Sequence, residues 1–176
     1  MESNTEKLIK ASLLLAIGII FQIIGRNIPE INQFLVGPII NCILIVTAFT
    51  CGKWWGVGVG VLTPLLALLM GQLPTALALF IPFIMIGNFL FVFLFSFFKE
   101  GQMLKKSMGV ILGALAKYAF LTLAATKLIG VFNLNFPLKV VKVLAISMGI
   151  PQLVTALIGG ALGLIIINLL IRRKII

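Results

Sequence analysis

The chain has 176 residues, of which 61% are hydrophobic and only 10% charged, whereas an ordinary soluble domain has about 25% charged residues. This composition and the mean hydropathy of +1.25 exclude a water-soluble domain, so we expect a single transmembrane domain over residues 1–176. The net charge of +10 does not indicate nucleic-acid binding, because the basic residues stand at the ends of apolar runs and form no single face.

Apolar runs and the breaks between them predict six transmembrane helices, each long enough to cross a bilayer. The helices are predicted at about residues 8–24, 34–51, 54–70, 75–98, 107–131 and in a last stretch that ends before Arg172. The predicted fold is therefore an all-α integral membrane protein, a bundle of six transmembrane helices. No small-residue cleavage motif follows the first run, so we expect that helix to be retained.

The positions of lysine and arginine predict how the helices are oriented, because cytoplasmic loops of membrane proteins carry an excess of both. With the amino terminus in the cytoplasm, the outer side holds only Arg26, Lys127, Lys139 and Lys142. The inner side holds the larger group, which is Lys7, Lys10, Lys53, Lys99, Lys105, Lys106, Arg172, Arg173 and Lys174. We therefore expect both termini in the cytoplasm.

The last helix is longer than one span requires, because residues 140–171 form one apolar stretch. A kink at Pro151 is one solution, since a proline inside a helix leaves the carbonyl four residues earlier, here that of Ser147, without its usual donor. The alternative is that residues 140–148 lie in the membrane interface.

Lys117 is the strongest polar signal in the chain. It lies in the middle of the fifth helix, where a lysine costs about 2.5–3.5 kcal/mol on insertion scales, and no acid stands in a predicted span. Its ammonium group therefore needs backbone carbonyls, water or a bound anion. With its neighbour Tyr118 it is a candidate contact for an anionic or carbonyl-bearing ligand; the alternative is a solvated structural lysine.

Four amides form the rest of the candidate ligand site: Asn41, Gln72, Asn88 and Gln152. Asn88 lies in the middle of the fourth helix and needs several hydrogen bonds, which Asn41, a shared ligand or an interhelical clamp would supply. Gln72 lies in the tight turn at residues 71–74, which we expect to close over a polar cavity with the loops at 26–33 and 132–139. Gln152 follows Pro151 and either contacts ligand or packs. We expect the phenylalanines after Asn88 to face lipid.

Small residues form a smooth face on the first helix, with Ser12 and Ala16 four residues apart. Such spacing lets a second helix approach closely, so the face is either internal packing or a partner-docking surface. A second stripe, with Gly159, Gly160 and Gly163, favours internal packing of the last helix.

The chain resembles the S components, the substrate-binding membrane subunits of energy-coupling factor (ECF) vitamin transporters. The resemblance rests on six short helices, the small-residue face of the first helix, and the run LTPLLALLMGQLP followed by IPFIMIGN, and it covers nearly the whole chain in layout.

The resemblance implies a high-affinity binding subunit of an ABC-type importer that takes up a vitamin or related micronutrient. It implies a six-helix bundle in the cell membrane, a ligand site near the outer face, and docking onto a coupling transmembrane subunit driven by two ATPase subunits. The docking pattern of the family is A-x-x-x-A; here Ser12 and Ala16 match it, with a serine at the first position. Lys117, Tyr118 and the amides favour a neutral or anionic ligand.

Other functions remain open from the sequence. A self-sufficient small carrier is one, although no acid or histidine stands in a predicted span to relay protons. A non-transporting assembly subunit is another. An enzyme, a metal site and a cofactor are not expected, because the chain has no histidine, no paired carboxylates and no nucleotide-binding P-loop. ATP would be hydrolysed by separate chains.

Overall fold

The computed structural model describes residues 3–28, 32–132, 134 and 136–174, and these are helical apart from short connections. Apolar runs become helices because lipid offers the backbone no hydrogen-bond partners. The elements are α1 (Asn4–Arg26), α2 (Asn32–Thr50), α3 (Lys53–Leu69), a 3₁₀ helix (Thr75–Phe80), α4 (Ile81–Phe98), α5 (Met103–Leu123), a π-helical turn (Ala124–Leu128), α6 (Ile129–Val131), α7 (Leu138–Ser147) and α8 (Ile150–Arg172).

Six apolar helical stretches result, in agreement with the predicted bundle. Five are long and apolar enough to cross a membrane: Asn4–Arg26, Asn32–Thr50, Thr75–Phe98, Met103–Val131 and Leu138–Arg172. The sixth, α3, has 17 residues and is shorter. At 1.5 Å per residue it is about 26 Å long, close to the thickness of a bilayer core. The chain is a multi-pass membrane protein.

Helix α2 lies in the middle of the bundle, where it packs against α1, α3 and α8. Its contact with α8 depends on the glycine stripe of α8. A Cβ atom on Gly159 would meet backbone atoms of Pro38 and Cys42, and one on Gly163 would meet the side chain of Ile45. The stripe therefore serves internal packing, as the sequence favoured, and lets two helix backbones come close where lipid gives no hydrophobic drive.

The last apolar stretch is broken into two helices rather than kinked at its proline. Helix α7 ends at Ser147, and α8 begins after Gly149 with Pro151 in its first turn, where a missing N–H is of no consequence. Pro151 has no N–H to donate to the Ser147 carbonyl. This carbonyl instead accepts a hydrogen bond of 2.7 Å from Nε2 of Gln33. This hydrogen bond attaches the α7–α8 junction to the start of α2.

The expectation that the phenylalanines of α4 face lipid is wrong for two of them. Phe91 and Phe95 are fully buried in the main hydrophobic core. Phe89, Phe93 and Phe97 instead form a row along α4, with Phe89 stacked on Phe93 and Phe97 edge-on to it, and Nζ of Lys53 lies 4.8 Å from the ring centre of Phe93. The error arises because a run of aromatic residues at every second position covers more than one face of a helix.

Candidate ligand-binding site

A cavity of about 330 Å³ opens within the bundle at the end that carries the turn at residues 71–74. All the long helices and α7 contribute to its wall, and its volume is at the lower end of the range for small-molecule sites. The wall includes a series of polar side chains among apolar ones. These polar residues are Gln22, Asn32, Gln33, Asn41, Thr63, Gln72, Asn88, Lys117, Ser147 and Gln152.

Lys117 lies deep in this wall and is only 4% exposed. Its Nζ donates a hydrogen bond of 2.7 Å to Oδ1 of Asn41, and the Asn41 amide in turn donates to the Gly37 carbonyl at 2.9 Å. Nζ also lies 5.6 Å from the ring centre of Phe91. Because an ammonium group has three N–H donors, Asn41 leaves part of its donor capacity available to a ligand.

The positive charge of Lys117 has no acidic counterpart in the described part of the wall. The two acids that the structure describes, Glu6 and Glu100, lie outside the cavity lining. Among the described residues, the contacts of Nζ are an amide oxygen and an aromatic face, which compensate an ammonium charge poorly, since buried charges are normally paired. The electrostatics of the cavity therefore favour a ligand that brings a negative or strongly polar oxygen.

Asn88 is held by a carbonyl that a proline has freed. Pro64 lacks the N–H that would bond to the carbonyl of Gly60, four residues earlier. That carbonyl accepts hydrogen bonds from Nδ2 of Asn88 at 2.8 Å and from the Thr63 hydroxyl at 3.2 Å. Asn88 is thus clamped to α3 and does not pair with Asn41, which is bonded to Lys117.

Gln22 of α1 is held in the same part of the cavity. Its Nε2 donates to the Thr63 carbonyl at 3.1 Å, and the residue is 3% exposed. Its Oε1 is buried and has no hydrogen-bond partner within the described residues. The orientation of this amide is fixed, because a backbone carbonyl can only accept and must therefore face the NH₂ group.

The mouth of the cavity is tied together by hydrogen bonds between the turn at 71–74 and its neighbours. Gln72 Nε2 donates to Oδ1 of Asn32 at 3.0 Å, and Arg26 donates to the Met70 carbonyl at 3.2 Å. Gly71 makes the turn possible because its φ is +72°, a backbone angle that residues with a Cβ atom rarely adopt. The described part of the loop at 132–139 contributes no lining residue; α7 takes its place through Val143 and Ser147.

The structure brings five of the six predicted ligand contacts to one cavity: Asn41, Gln72, Asn88, Lys117 and Gln152. Tyr118 is half-buried and does not line it. The two residues of the predicted docking face, Ser12 and Ala16, are both exposed on α1.

Sequence reasoning overlooked Gln22, Asn32, Gln33 and Thr63 as cavity residues. Gln22 carries a usable signal, since it is, like Asn41, a lone amide inside an apolar run. Asn32 and Gln33 belong to the loop at 26–33 that we expected over the cavity, but nothing in that polar segment distinguishes them from their neighbours, and they become part of α2 only in the fold.

The family model described as "ECF transporter, substrate-specific component" matches residues 6–171 of the chain. No curated protein and no solved structure matches.

Proposed function

Because the chain belongs to the family of ECF transporter substrate-specific components, we propose that it is the high-affinity binding subunit of an ECF-type importer for a vitamin or related small micronutrient. Members of this family are substrate-binding transport subunits that associate with the partners of an ECF module. The observation that carries the proposal for this chain is its polar cavity of about 330 Å³ inside an otherwise apolar bundle.

The cavity suits a binding subunit better than a structural one. An assembly subunit would have no use for several amides and a lysine on the wall of an open space, since each costs free energy when buried without partners. We assign ligand contacts to Asn41, Gln72, Asn88, Lys117 and Gln152. The turn at 71–74, where Gln72 is bonded to Asn32, would act as a lid over the bound ligand.

The docking surface for the coupling transmembrane subunit is assigned to α1, around Ser12 and Ala16. In an apolar 18-residue stretch of α1, only 22% is buried inside the bundle, which is less than in the other four membrane-crossing stretches. Ala11, Gly18 and Gly25 face inward, so the smooth surface at Ser12 and Ala16 is left for another helix. Small residues there would allow close backbone approach.

Energy for import would come from two ATPase subunits of the module, acting through the coupling subunit. We place the chain in the cell membrane with both termini in the cytoplasm, on the distribution of lysine and arginine. In this orientation the turn at 71–74 and the cavity mouth face outward, where a nutrient arrives.

Uptake and assembly can be tested together. We expect the chain to copurify with the coupling and ATPase subunits and to support ATP-dependent nutrient uptake in a host that lacks its own S components. Ala16→Trp should abolish copurification, because the indole would hold the two helices apart. Ala161→Trp on α8 is the matched control, since Ala161 is also exposed on a membrane-facing helix. Uptake without any ATPase partner would contradict the proposal and favour a self-sufficient carrier.

A further inference from the structure

Gln22 and Lys117 both line the cavity, and each has hydrogen-bonding capacity that the described residues do not use. Gln22 offers an acceptor, Oε1, that is buried and unpartnered within the described residues. Lys117 offers N–H donors beyond the one used by Asn41. A ligand that meets both groups must itself contain both a donor and an acceptor.

The Gln22 oxygen cannot find its donor by turning the amide round. A rotated amide would set its oxygen against the Thr63 carbonyl, which would lose the hydrogen bond of 3.1 Å and oppose two acceptors. Nor does Asn88 supply a donor, because the described hydrogen bonds of its Nδ2 go to Gly60 and Thr63 on α3. Gln22 is itself a lining residue of the cavity, so a ligand held there can supply the missing donor.

The charge of Lys117 decides what kind of acceptor the ligand brings. No acid lies in the described cavity lining, and Arg26, which stands beside the turn at 71–74, adds further positive charge near the mouth. A carboxylate would compensate this charge and form a short charge-assisted hydrogen bond to Nζ. A cationic ligand would meet repulsion that no acid among the described lining residues compensates.

We propose that the cavity binds a small organic carboxylate that also carries an N–H or O–H donor, with the carboxylate on Lys117 and the donor on Oε1 of Gln22. This inference rests on the proposed function, in that it names the ligand class of the same site. The site rejects analogues without the donor because they leave Gln22 Oε1 buried and unpaired, which is how polar sites discriminate strongly.

The three positional isomers of acetamidobenzoate are suitable probes, because each carries one carboxylate and one amide N–H at a different separation. Each isomer is compared with two analogues, called its twins. The N-methyl twin lacks the N–H donor, and the carboxamide twin lacks the negative charge of the carboxylate. Binding is measured by equilibrium dialysis on the full chain in mild detergent. We expect at least one isomer to bind, and its N-methyl twin to bind about tenfold more weakly, the size expected for one hydrogen bond to a buried acceptor.

Two variants assign the effects to residues. In Gln22→Met the preference for the acetamidobenzoate over its N-methyl twin should disappear, whereas Gln102→Met, an exposed glutamine outside the cavity, should keep it. In Lys117→Met the preference for carboxylate over carboxamide should disappear, with Lys127→Met as the exposed control. Because each readout is a ratio between two probes on one protein, a general loss of stability does not mimic it.

Three outcomes would overturn the inference. They are equal binding of parent and N-methyl twin to the wild type, equal loss of both in Gln22→Met, and failure of all three isomers to bind. Any of these with intact copurification and ATP-dependent uptake would leave the proposed function standing. Loss of copurification and of ATP-dependent uptake in the wild type would instead contradict the proposed function itself.

Discussion

A glycine in the α2–α8 contact gives the sharpest test of how the bundle is packed. A Cβ atom added at Gly159 would lie 2.6 Å from Cβ of Asn41 and 3.0 Å from the backbone nitrogen of Cys42, and it would also meet the Pro38 carbonyl. At Gly58 of α3 a Cβ would have no neighbour within 4 Å. The same change, Gly→Ala, is therefore expected to have opposite effects at the two positions.

The magnitudes follow from two competing terms. Alanine is favoured over glycine inside a helix by about 0.5–1 kcal/mol, which is all that Gly58→Ala should gain. Overpacking costs about 1–3 kcal/mol, and at Gly159 the cost should be near the upper end because the neighbours are mostly backbone that cannot rotate away. We expect Gly159→Ala to lower the free energy of unfolding by about 2 kcal/mol after the helix term is subtracted.

Stability is measured by titrating the protein from mild detergent into sodium dodecyl sulfate. Cys42 and Cys51 are both free and buried, so their reaction with a thiol reagent reports separation of the helices. Loss of helicity by circular dichroism provides an independent probe. If Gly159→Ala proved as stable as Gly58→Ala, or more stable than the wild type, the close packing of α2 on α8 described above would be refuted.

Two further predictions concern the cavity wall and its mouth. Asn88→Leu should lower the free energy of unfolding by about 1 kcal/mol, the usual scale of a membrane hydrogen bond, because the Gly60 carbonyl loses its interhelical donor; no change in the detergent titration would contradict the clamp. Gly71→Ala should lower it by about 1 kcal/mol through its φ of +72°, whereas Gly71→Asn should lower it less, since asparagine tolerates that conformation better. Equal losses in the two variants would point to crowding against Arg26 instead.

Much of the architecture could be predicted because hydropathy is a local property of the chain. A run such as residues 81–98 must be a membrane helix wherever it packs, since only a helix satisfies its own backbone in lipid. The same reasoning identified isolated polar residues such as Asn41 and Lys117 as the places to look for a site. Gln22 meets the same criterion, as a lone amide inside an apolar run.

The pairing of these polar residues was decided only by the tertiary structure. Lys117 meets Asn41 across 76 positions of sequence, and Gln22 meets Thr63 across 41. Tyr118 follows Lys117 directly but does not line the cavity, because successive residues of a helix point about 100° apart. The sequence alone determined a membrane bundle with polar groups inside it. Which groups share a cavity depended on how the helices rotate and approach, and small residues such as Gly159 set that approach through contacts between distant segments.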